Sequence, residues 1–395
     1  MKITAAHGSG GLDSALLVRD IFGKHFSDPV LARLEDAAVL DLPAALAGAG
    51  ATAGLPVGSS AGPDLGSSAG LPAGLRPRAS AGSAPERSSG PRPEASAGAG
   101  LGPAPGSPGA PPARLAFSTD GFVVTPLVFR GGDIGKLSVC GTVNDLLMMG
   151  AIPLYLSCGF ILEEGLDIAL LDAIAASMAE AARGAGVRIV AGDTKVAGVG
   201  GGLYINTAGV GVVPAGRAIA ADACAPGDAI LLSGGLGNHH ACILSARMGI
   251  ENGIESDCAC LRDVAEALHA SGARVKAMRD VTRGGLGAVL NEIADSSGCS
   301  VTLREEDIPV DAAVRAFCGL MGLDPLYMGN EGKMIAVVDG ADAEKALSAA
   351  RGTQNGKNAA LIGGVAAGRG VFMRTRLGGT RRVDNLRGEG LPRIC

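Results

Sequence analysis

The stretch LYLSCGFILEEGLDIALLDAIAASMAEAARGAGVRIVAGDTK, residues 154–195, decides the class of fold. Its apolar run over 154–162 predicts a strand, and Asp167 then caps a helix that closes near Gly184. Residues 187–191 predict a second strand, which delivers the following Gly-Asp-Thr-Lys to a loop. Strand, helix and strand in this order are typical of an α/β protein.

The same alternation continues on either side of this stretch. Residues 114–124 predict two short strands joined by an acidic turn, Thr119-Asp120-Gly121. Asp133 is expected to cap a helix over 134–149. An alternating strand is expected at 203–213.

The second half of the chain repeats this alternation of strands and helices. Strands are expected at 229–232, 275–278, 301–304, 334–338 and 361–365, and helices at 236–248, 260–270, 311–320 and 341–350. A Gly-Gly turn at 284–285 opens a further helix. We therefore expect an α/β protein of two domains, 1–213 and 214–377, followed by a mobile tail, 378–395.

Residues 44–113 differ in composition from the rest of the chain. Ala, Gly, Pro and Ser account for 55 of these 70 residues, and the segment has no aromatic residue and no Ile. Such a sequence cannot bury enough apolar surface to offset the entropy that is lost on ordering. We expect a disordered insertion in the first domain, which the fold tolerates because the free energy of loop closure grows slowly with loop length.

Charge and hydropathy exclude several classes of protein. A net charge of -5 and a pI near 5.6 give no electrostatic attraction to nucleic acid or to an anionic membrane surface. The sequence has no apolar run of about 18 residues, as a membrane span requires, and we expect no secretory signal at its N-terminus because a continuous apolar segment is lacking there. Its nine cysteines, an odd number, are expected to be reduced thiols, which indicates a cytoplasmic protein.

Four carboxylates stand at predicted strand ends or on a short helix: Asp36, Asp120, Asp145 and Asp193. Each of them alone is more often a cap or a turn residue. Together, beside glycine-rich turns and Lys195, they suit a magnesium ion that is held by oxygen ligands next to a polyphosphate. The chain has no G-x-x-x-x-G-K-[ST] motif, so a nucleotide site of the P-loop type is excluded.

Both ends of the chain carry candidate functional groups. Near the N-terminus, Gly8, Gly10 and Gly11 belong to a turn whose successive N–H groups can hold an anion at the start of a helix. The C-terminal Cys395 lies on an arm without apolar periodicity, and the neighbouring Arg393 favours its thiolate. The alternative is a disordered end that happens to finish in cysteine.

Eight motifs together resemble the HypE family of hydrogenase maturation proteins. They are FSTDGFVV at 117–124, GGDIGK at 131–136, CGTVNDL at 140–146, GFILEEG at 159–165, AGDTKV at 191–196, DVTRGGL at 280–286, GNEGK at 329–333 and PRIC at 392–395. The resemblance covers nearly the whole chain outside 44–113, and the terminal PRIC separates this family from its fold relatives. Selenophosphate synthetases are disfavoured because they carry a cysteine or selenocysteine in the N-terminal glycine-rich segment, whereas the first cysteine here is Cys140.

The resemblance implies membership of the superfamily of aminoimidazole ribonucleotide synthetase and selenophosphate synthetase. In this two-domain PurM-like fold, the N-terminal domain forms a β-barrel across a homodimer and the C-terminal domain is α/β. The implied activity is that of an ATP- and magnesium-dependent carbamoyl dehydratase. A carbamoyl group from the partner HypF is carried on Cys395, phosphorylated and dehydrated to a thiocyanate, and the cyano group passes to iron on the HypC–HypD complex.

The resemblance also implies roles for individual residues. Lys195 is expected to stabilise charge on the transferred phosphoryl group or to assist proton removal, and Glu331 is expected to be the general base near the thiocarbamate. The alternatives are a solvated loop cation for Lys195 and a surface loop acid that caps the glycine-rich turn for Glu331. The implied ATP-binding residues are Gly8, Gly10, Gly11, Asp36, Asp120, Asp145, Asp193 and Thr194, and the four aspartates also hold magnesium. Two alternatives stay open, which are another ATP-using enzyme of the same fold and a non-catalytic maturation scaffold.

Overall fold

The computed structural model describes residues 35–41 and 113–386, together with Leu12, Leu16, Arg19 and Arg33. The glycine turn at 8–11, nearly all of the predicted insertion and residues 387–395, which include Cys395, lie outside the described residues. The predictions for these segments therefore stay predictions.

Residues 38–41 and 114–213 form the first sheet and its helices. The elements are β1 (Ala38–Asp41), β2 (Arg114–Phe122), β3 (Val128–Phe129), β4 (Gly132–Asp133), helix α1 (Ile134–Met148), β5 (Ile152–Glu164), helix α2 (Ile168–Ala185), β6 (Arg188–Val199) and β7 (Leu203–Val213). Five strands lie in the order β1-β2-β7-β5-β6, and only the β5–β6 pair is parallel. Helix α2 joins this parallel pair, so the strand-helix-strand prediction is confirmed.

Local sequence signals fix the ends of both helices. The Asp133 carboxylate accepts a hydrogen bond from Gly135 N at 2.7 Å and so begins α1. Asp167 accepts one from Ala169 N at 2.9 Å at the start of α2. Gly186 takes a left-handed conformation, with φ of 68°, and ends α2, because residues with a Cβ rarely adopt it.

The two faces of the first sheet differ. Helix α1 packs on one face, where Leu156 and Ile205 are buried. On the opposite face, Phe117, Val210 and Tyr155 stand in one cross-strand row, and Phe117 and Tyr155 are each 42% exposed. Strand β6, at the edge, is exposed along all 12 of its residues. An apolar face and a long exposed edge are features that a partner surface usually covers.

Residues 229–382 form the second sheet and its helices. The elements are β8 (Ala229–Leu232), α3 (Asn238–Met248), α4 (Arg262–Ala270), β9 (Val275–Asp280), α5 (Gly285–Ser297), β10 (Ser300–Arg304), α6 (Ala312–Met321), β11 (Met334–Val338), α7 (Ala343–Arg351), β12 (Ala360–Ala366), β13 (Gly370–Arg374) and β14 (Thr380–Arg382). The strands lie in the order β14-β13-β10-β12-β8-β11-β9. Among the described residues, no helix is long and apolar enough to span a membrane.

Helix α1 connects the two sheets through a shared core. Its Leu137 and Val143 are fully buried in the same apolar cluster as Leu261 and Val264, which belong to the second half of the chain. The position of α1 therefore fixes how residues of the first sheet meet those of the second.

Three local predictions differ from the structure. The predicted turn at 119–121 is wrong, because β2 stays paired with β7 without a break through these residues. Residues 192–195 are strand rather than loop, because β6 stays paired with β5 beyond them, to Val199. Thr380–Arg382 pairs with β13, so the segment predicted as a mobile tail begins with a strand of the sheet.

Candidate active site

An acidic cavity of about 220 Å³ is lined by both halves of the chain. Five carboxyl side chains face it, those of Asp36, Asp120, Asp145, Asp280 and Glu331. The rest of its wall consists of Thr119, Gly121, Phe122, Gly141, Thr282 and Arg283. The structure thus brings together three of the predicted magnesium ligands and the predicted general base.

Separate elements supply the five acids. Asp120 lies near the end of β2, Asp145 lies on α1, and Asp36 lies just before β1. Asp280 is the last residue of β9, and Glu331 lies in the loop that leads into β11. The cavity therefore exists only when the two sheets are assembled around α1.

Hydrogen bonds hold two of these carboxylates in place. Ser118 Oγ donates to Asp145 Oδ2 at 2.6 Å. The backbone N–H of Gly121 donates to Asp120 Oδ1 at 2.8 Å. Each of these acids still has a second oxygen with which it can contact a ligand.

Arg279 is a buried cation beside the cavity. Its guanidinium forms an ion pair with Asp36, and its Nη2 lies 2.9 Å from Glu292 Oε2. The second carboxylate oxygen of Asp36 is buried and has no hydrogen-bond partner among the described residues. Arg279 therefore fixes one oxygen of Asp36 and leaves the other for a bound group.

The clustered acids raise one another's pKa. Burial raises the pKa of Asp145 well above its ordinary value, and the charges of Asp280, Asp120 and Asp36 raise it further. Burial also raises the pKa of Asp280, with a further rise from the charge of Asp36. Burial raises the pKa of Asp36 to about 6, although the charge of Arg279 opposes this. A bound cation removes such repulsion, so the cavity favours one.

Glu331 combines burial with acidic neighbours. Burial raises the pKa of Glu331 well above its ordinary value, and the charges of Asp280 and Asp120 raise it further. The charge of Arg283, which also lines the cavity, lowers it. A carboxylate in such surroundings is a stronger base than an exposed one, as general-base chemistry requires.

Asp193, Thr194 and Lys195 do not reach this cavity within the chain. All three lie on the exposed strand β6. Lys195 Nζ is 2.7 Å from Asp193 Oδ1, and these two side chains are 68% and 70% exposed. The predicted site residues therefore fall into two groups.

The register of the sheet explains this separation. Asp193 stands in a cross-strand row with Gly159, Asn206 and Gly121. Asp120 is the neighbour of Gly121 along β2, and successive residues of a strand point to opposite faces. Asp193 consequently lies on the open face of the sheet, whereas Asp120 lies on the face that α1 covers.

The cavity acids do not form a complete metal site by themselves. Within the described part of the chain, no three His, Cys, Asp or Glu side chains converge closely enough to hold a metal ion by themselves. Magnesium is usually held by one or two carboxylates together with water and substrate phosphates, not by a cage of side chains. The buried acids, with the unpaired oxygen of Asp36, fit that manner of binding.

Three further residues line the cavity or lie beside it, although they were not among the site residues predicted from the sequence. They are Asp280, Arg279 and Arg283. The available signal was the motif DVTRGGL at 280–286, where an aspartate stands directly before a Gly-Gly turn. Gly285 needs this freedom: its φ is +64°, and a Cβ there would lie 2.6 Å from the backbone of Leu326.

Comparison with known proteins extends these observations. Residues 110–213 match the AIR synthase related protein N-terminal domain, and residues 225–375 match the C-terminal domain of the same family. The carbamoyl dehydratase HypE of Rhodobacter capsulatus is 50% identical over 291 residues, which cover 72% of this chain and 86% of that protein. HypE of Escherichia coli is 49% identical over 286 residues, which cover 71% of this chain and 85% of that protein.

Solved structures of HypE proteins superpose on this chain. A HypE–HypF complex superposes with a TM-score of 0.73 at 36% identity and covers 94% of this chain and 99% of that chain. A HypE structure in complex with ATP gives a TM-score of 0.69 at 39% identity, with 100% of both chains covered. The predicted α/β fold of the PurM type is confirmed. The chain therefore belongs to the HypE family of carbamoyl dehydratases, within the AIR synthase related proteins.

Proposed function

We propose that this protein is an ATP-dependent carbamoyl dehydratase of [NiFe]-hydrogenase maturation that acts on a carbamoyl group carried by its own Cys395. The observation that carries the proposal is the cavity in which Asp120, Asp145 and Asp280 share a buried space. Such a space suits the phosphates of ATP with a divalent cation. Relatives named carbamoyl dehydratase, and a related HypE that was solved with ATP, support this activity.

The reaction converts S–C(=O)–NH2 on the cysteine to S–C≡N. The carbamoyl oxygen attacks the γ-phosphorus of ATP, ADP leaves, and one N–H proton is lost as the C=N bond forms. The carbamoyl oxygen is now part of a phosphate ester, and phosphate is a good leaving group. Loss of phosphate and of the second N–H proton then gives the thiocyanate.

Glu331 accepts a proton from the thiocarbamate nitrogen in this scheme. Its burial and its acidic neighbours raise its pKa, which strengthens it as a base. Arg283 lies in the same wall and carries the positive charge that a phosphoryl group needs nearby. Proton removal and phosphoryl transfer can therefore take place in one cavity.

Asp36, Asp120 and Asp145 would hold magnesium together with the phosphate oxygens. Magnesium, when bound, neutralises the negative charge of the transferring phosphoryl group. Asp280 adds a fourth carboxylate to this part of the cavity. The glycine turn that contains Gly8, Gly10 and Gly11 would close over the nucleotide.

We further propose that the protein works as a homodimer. The apolar row on the open face of the first sheet and the exposed edge strand β6 are surfaces that a second copy can cover. Asp193 and Lys195 stand on that side of the sheet. In a dimer they would enter a site, where Lys195 would stabilise the transferring phosphoryl group and Thr194 would contact the nucleotide.

The family relationship indicates the partners. HypF, which is bound to HypE in a related structure, would supply the carbamoyl group. The HypC–HypD complex would accept the cyano group on iron. We place all of these steps in the cytoplasm.

Intact-mass measurement tests the proposal. Purified protein is first carbamoylated with HypF, carbamoyl phosphate and no more ATP than the transfer itself consumes, then separated from HypF and nucleotide and incubated with or without Mg-ATP. We expect a gain of one carbamoyl group, followed by loss of one water only when Mg-ATP is present. Cys395→Ala should gain no carbamoyl group, whereas Cys260→Ala, a change to a partly buried cysteine, should behave as wild type.

Either of two outcomes would overturn the proposal. One is an adduct that forms equally well on Cys395→Ala. The other is the absence of any adduct when the same HypF carbamoylates a known HypE. Both would favour another ATP-using enzyme of this fold or a non-catalytic scaffold.

A further inference from the structure

The segment 256–261 is tied to helix α1 by one buried side chain. Asn144 Nδ2 donates to Ala259 O at 3.0 Å, and Asn144 Oδ1 accepts from Leu261 N at 2.8 Å. Asn144 is only 2% exposed, so the loss of either bond would leave a polar group unpaired in the interior. The next residue of α1 is Asp145, so the segment is fixed relative to one of the cavity acids.

The same segment holds the backbone of Glu331 on both sides. Glu331 N donates to Asp257 Oδ1 at 3.0 Å, and Ala259 N donates to Glu331 O at 3.2 Å. A Cβ at position 332 would lie 1.9 Å from the carbonyl oxygen of Asp257, so Gly332 lets the two backbones touch. These contacts leave Glu331 little freedom to shift along the cavity wall.

The Asp257 carboxylate has a second contact. Its Oδ2 lies 3.5 Å from Lys333 Nζ and makes no hydrogen bond among the described residues. The Asp257 side chain is 5% exposed and that of Lys333 is 15% exposed, so this ion pair is largely removed from water. An uncharged amide could accept the same hydrogen bond from Glu331 N without the cost of burying a charge. The charge of Asp257 is instead paired with Lys333.

We infer that Asp257 is a positioning residue for Glu331. Through segment 256–261 and Asn144, it fixes the position of Glu331 relative to Asp145 in the wall of the cavity. The inference rests on the proposed function, in which Glu331 takes a proton from the thiocarbamate. It assigns to Asp257 no contact with substrate or nucleotide.

Two substitutions at Asp257 separate its hydrogen bond from its charge. The rate of ATP-dependent water loss is followed by intact mass, in single turnover, on protein already carbamoylated at Cys395. Asp257→Ala removes the acceptor, and we expect a rate about 100-fold lower, because a displacement of about 1 Å in a reacting group can have that effect. The ATP concentration that gives the half-maximal rate should change less than about twofold, since Asp257 does not line the cavity that would hold the phosphates.

Asp257→Asn keeps the acceptor and should restore most of the rate, with a changed pH profile. The charged or titratable groups around Glu331 include Asp280, Asp120, Asp257, Arg283 and Cys258, and Lys333 pairs with Asp257. Loss of one negative charge from this set makes it easier for Glu331 to lose its proton. The rising limb of the rate against pH should therefore move to lower pH in Asp257→Asn.

A matched control tests whether any buried aspartate would give the same result. Asp228 is 4% exposed, accepts a hydrogen bond from Ala225 N at 2.7 Å and pairs with Lys276 at 2.7 Å, but does not line the cavity. Asp228→Ala should lower thermal stability as Asp257→Ala does, while the rate of the folded protein and its pH profile stay within about twofold of wild type.

Glu331→Gln keeps this inference distinguishable from the proposed function. If Glu331→Gln loses water at the wild-type rate, the proposed role of Glu331 is wrong. If Glu331→Gln is inactive but Asp257→Ala and Asp257→Asn both keep the wild-type rate and pH profile, the role of Glu331 stands and Asp257 does not position it.

Discussion

Arg279 on strand β9 forms a buried ion pair with Asp36, a residue 243 positions earlier in the chain. The side chain of Arg279 is 5% exposed and that of Asp36 is 15% exposed. This contact ties the segment before β1 to the second sheet at the rim of the acidic cavity. The same arginine holds Glu292 on α5, so it links three separate elements.

Removal of this arginine should destabilise the fold. Arg279→Met leaves the Asp36 carboxylate buried without its partner, and we expect the free energy of unfolding to fall by about 3 kcal/mol. Arg304→Met is the control, because the Arg304–Asp307 pair is 47% and 34% exposed and should contribute less than about 1 kcal/mol. Urea unfolding measures both. An equal decrease in the free energy of unfolding in the two variants would show that the buried Arg279 pair stabilises the fold no more than an exposed pair does.

Stability without nucleotide should depend on pH through the cavity acids. The pKa of Asp36 is raised by burial from 3.8 to about 6. A carboxyl group with a higher pKa in the folded than in the unfolded state stabilises the fold below the unfolded value, and this contribution is lost as pH rises through the folded value. The free energy of unfolding should therefore decrease between about pH 4 and about pH 6.

Mg-ATP should weaken the dependence of the free energy of unfolding on pH, because bound magnesium reduces the repulsion among the cavity acids. Asp145→Asn should also weaken it, because one of the repelling charges is gone while the acceptor for Ser118 is kept. Denaturant titrations over a pH series test both statements. A pH dependence in Asp145→Asn identical to that of wild type would contradict this account.

Asp280 should be required for ATP-dependent chemistry although it was not selected from the sequence. It is buried at the end of β9 and faces the cavity with Asp120 and Asp145. We expect Asp280→Asn to lower the rate of ATP-dependent water loss by about 100-fold or more, as removal of a group that stabilises transition-state charge commonly does. Asp324→Asn, at a half-exposed carboxylate paired with Arg381, should keep the wild-type rate. Similar rates for both variants would show that Asp280 has no role in the ATP-dependent step.

The sequence predicted the elements better than the cavity. The strands and helices around 154–195 follow from apolar runs, Asp caps and glycine stops, all of which are local signals. The position of Asp193 does not follow from such signals, because a one-residue step along a paired strand reverses the face on which a side chain lies. Asp193 and Asp120 look alike in sequence, yet the register places them on opposite faces.

Local sequence signals also do not identify the residues that the second half of the chain contributes to the cavity. Arg279 and Asp280 are the last two residues of strand β9, and their place beside Asp36 depends on how the two sheets meet at α1. Asp257 has no motif at all, and its contact with Glu331 becomes visible only in three dimensions. The roles of Gly8, Gly10, Gly11 and Cys395 rest on the sequence and on the family resemblance, because these residues lie outside the described part of the chain.

Gly141 should be required for the shape of the cavity. A Cβ there would lie 2.8 Å from the ring of Phe122 and 3.7 Å from Asp120 Oδ2. Gly141→Ala must move that ring, so we expect a loss of about 1 to 3 kcal/mol in the free energy of unfolding and a slower ATP-dependent step. Gly184→Ala is the matched helical control, because no atom lies within 4 Å of a Cβ there.

For Gly184→Ala we expect a gain of about 0.5 to 1 kcal/mol from the better helix propensity of alanine, and an unchanged rate. Urea unfolding and the single-turnover assay give both quantities. If Gly141→Ala is as stable and as active as Gly184→Ala, the wall at Phe122 is not tightly packed.

The open face of the first sheet should be the contact between two copies of the chain. Tyr155 lies in the apolar row of that face and is 42% exposed, so Tyr155→Glu puts a charge into the proposed interface. We expect light scattering to show a dimer for wild type and a monomer for Tyr155→Glu. Leu377→Glu is the control, because Leu377 is 98% exposed, lies between β13 and β14, and should leave the dimer intact. If Lys195 enters a site only in the dimer, the rate of ATP-dependent water loss should decrease as the dimeric fraction decreases.

Two outcomes would show that this face has another role. One is a wild-type protein that stays monomeric at all concentrations, and the other is a Tyr155→Glu variant that remains dimeric.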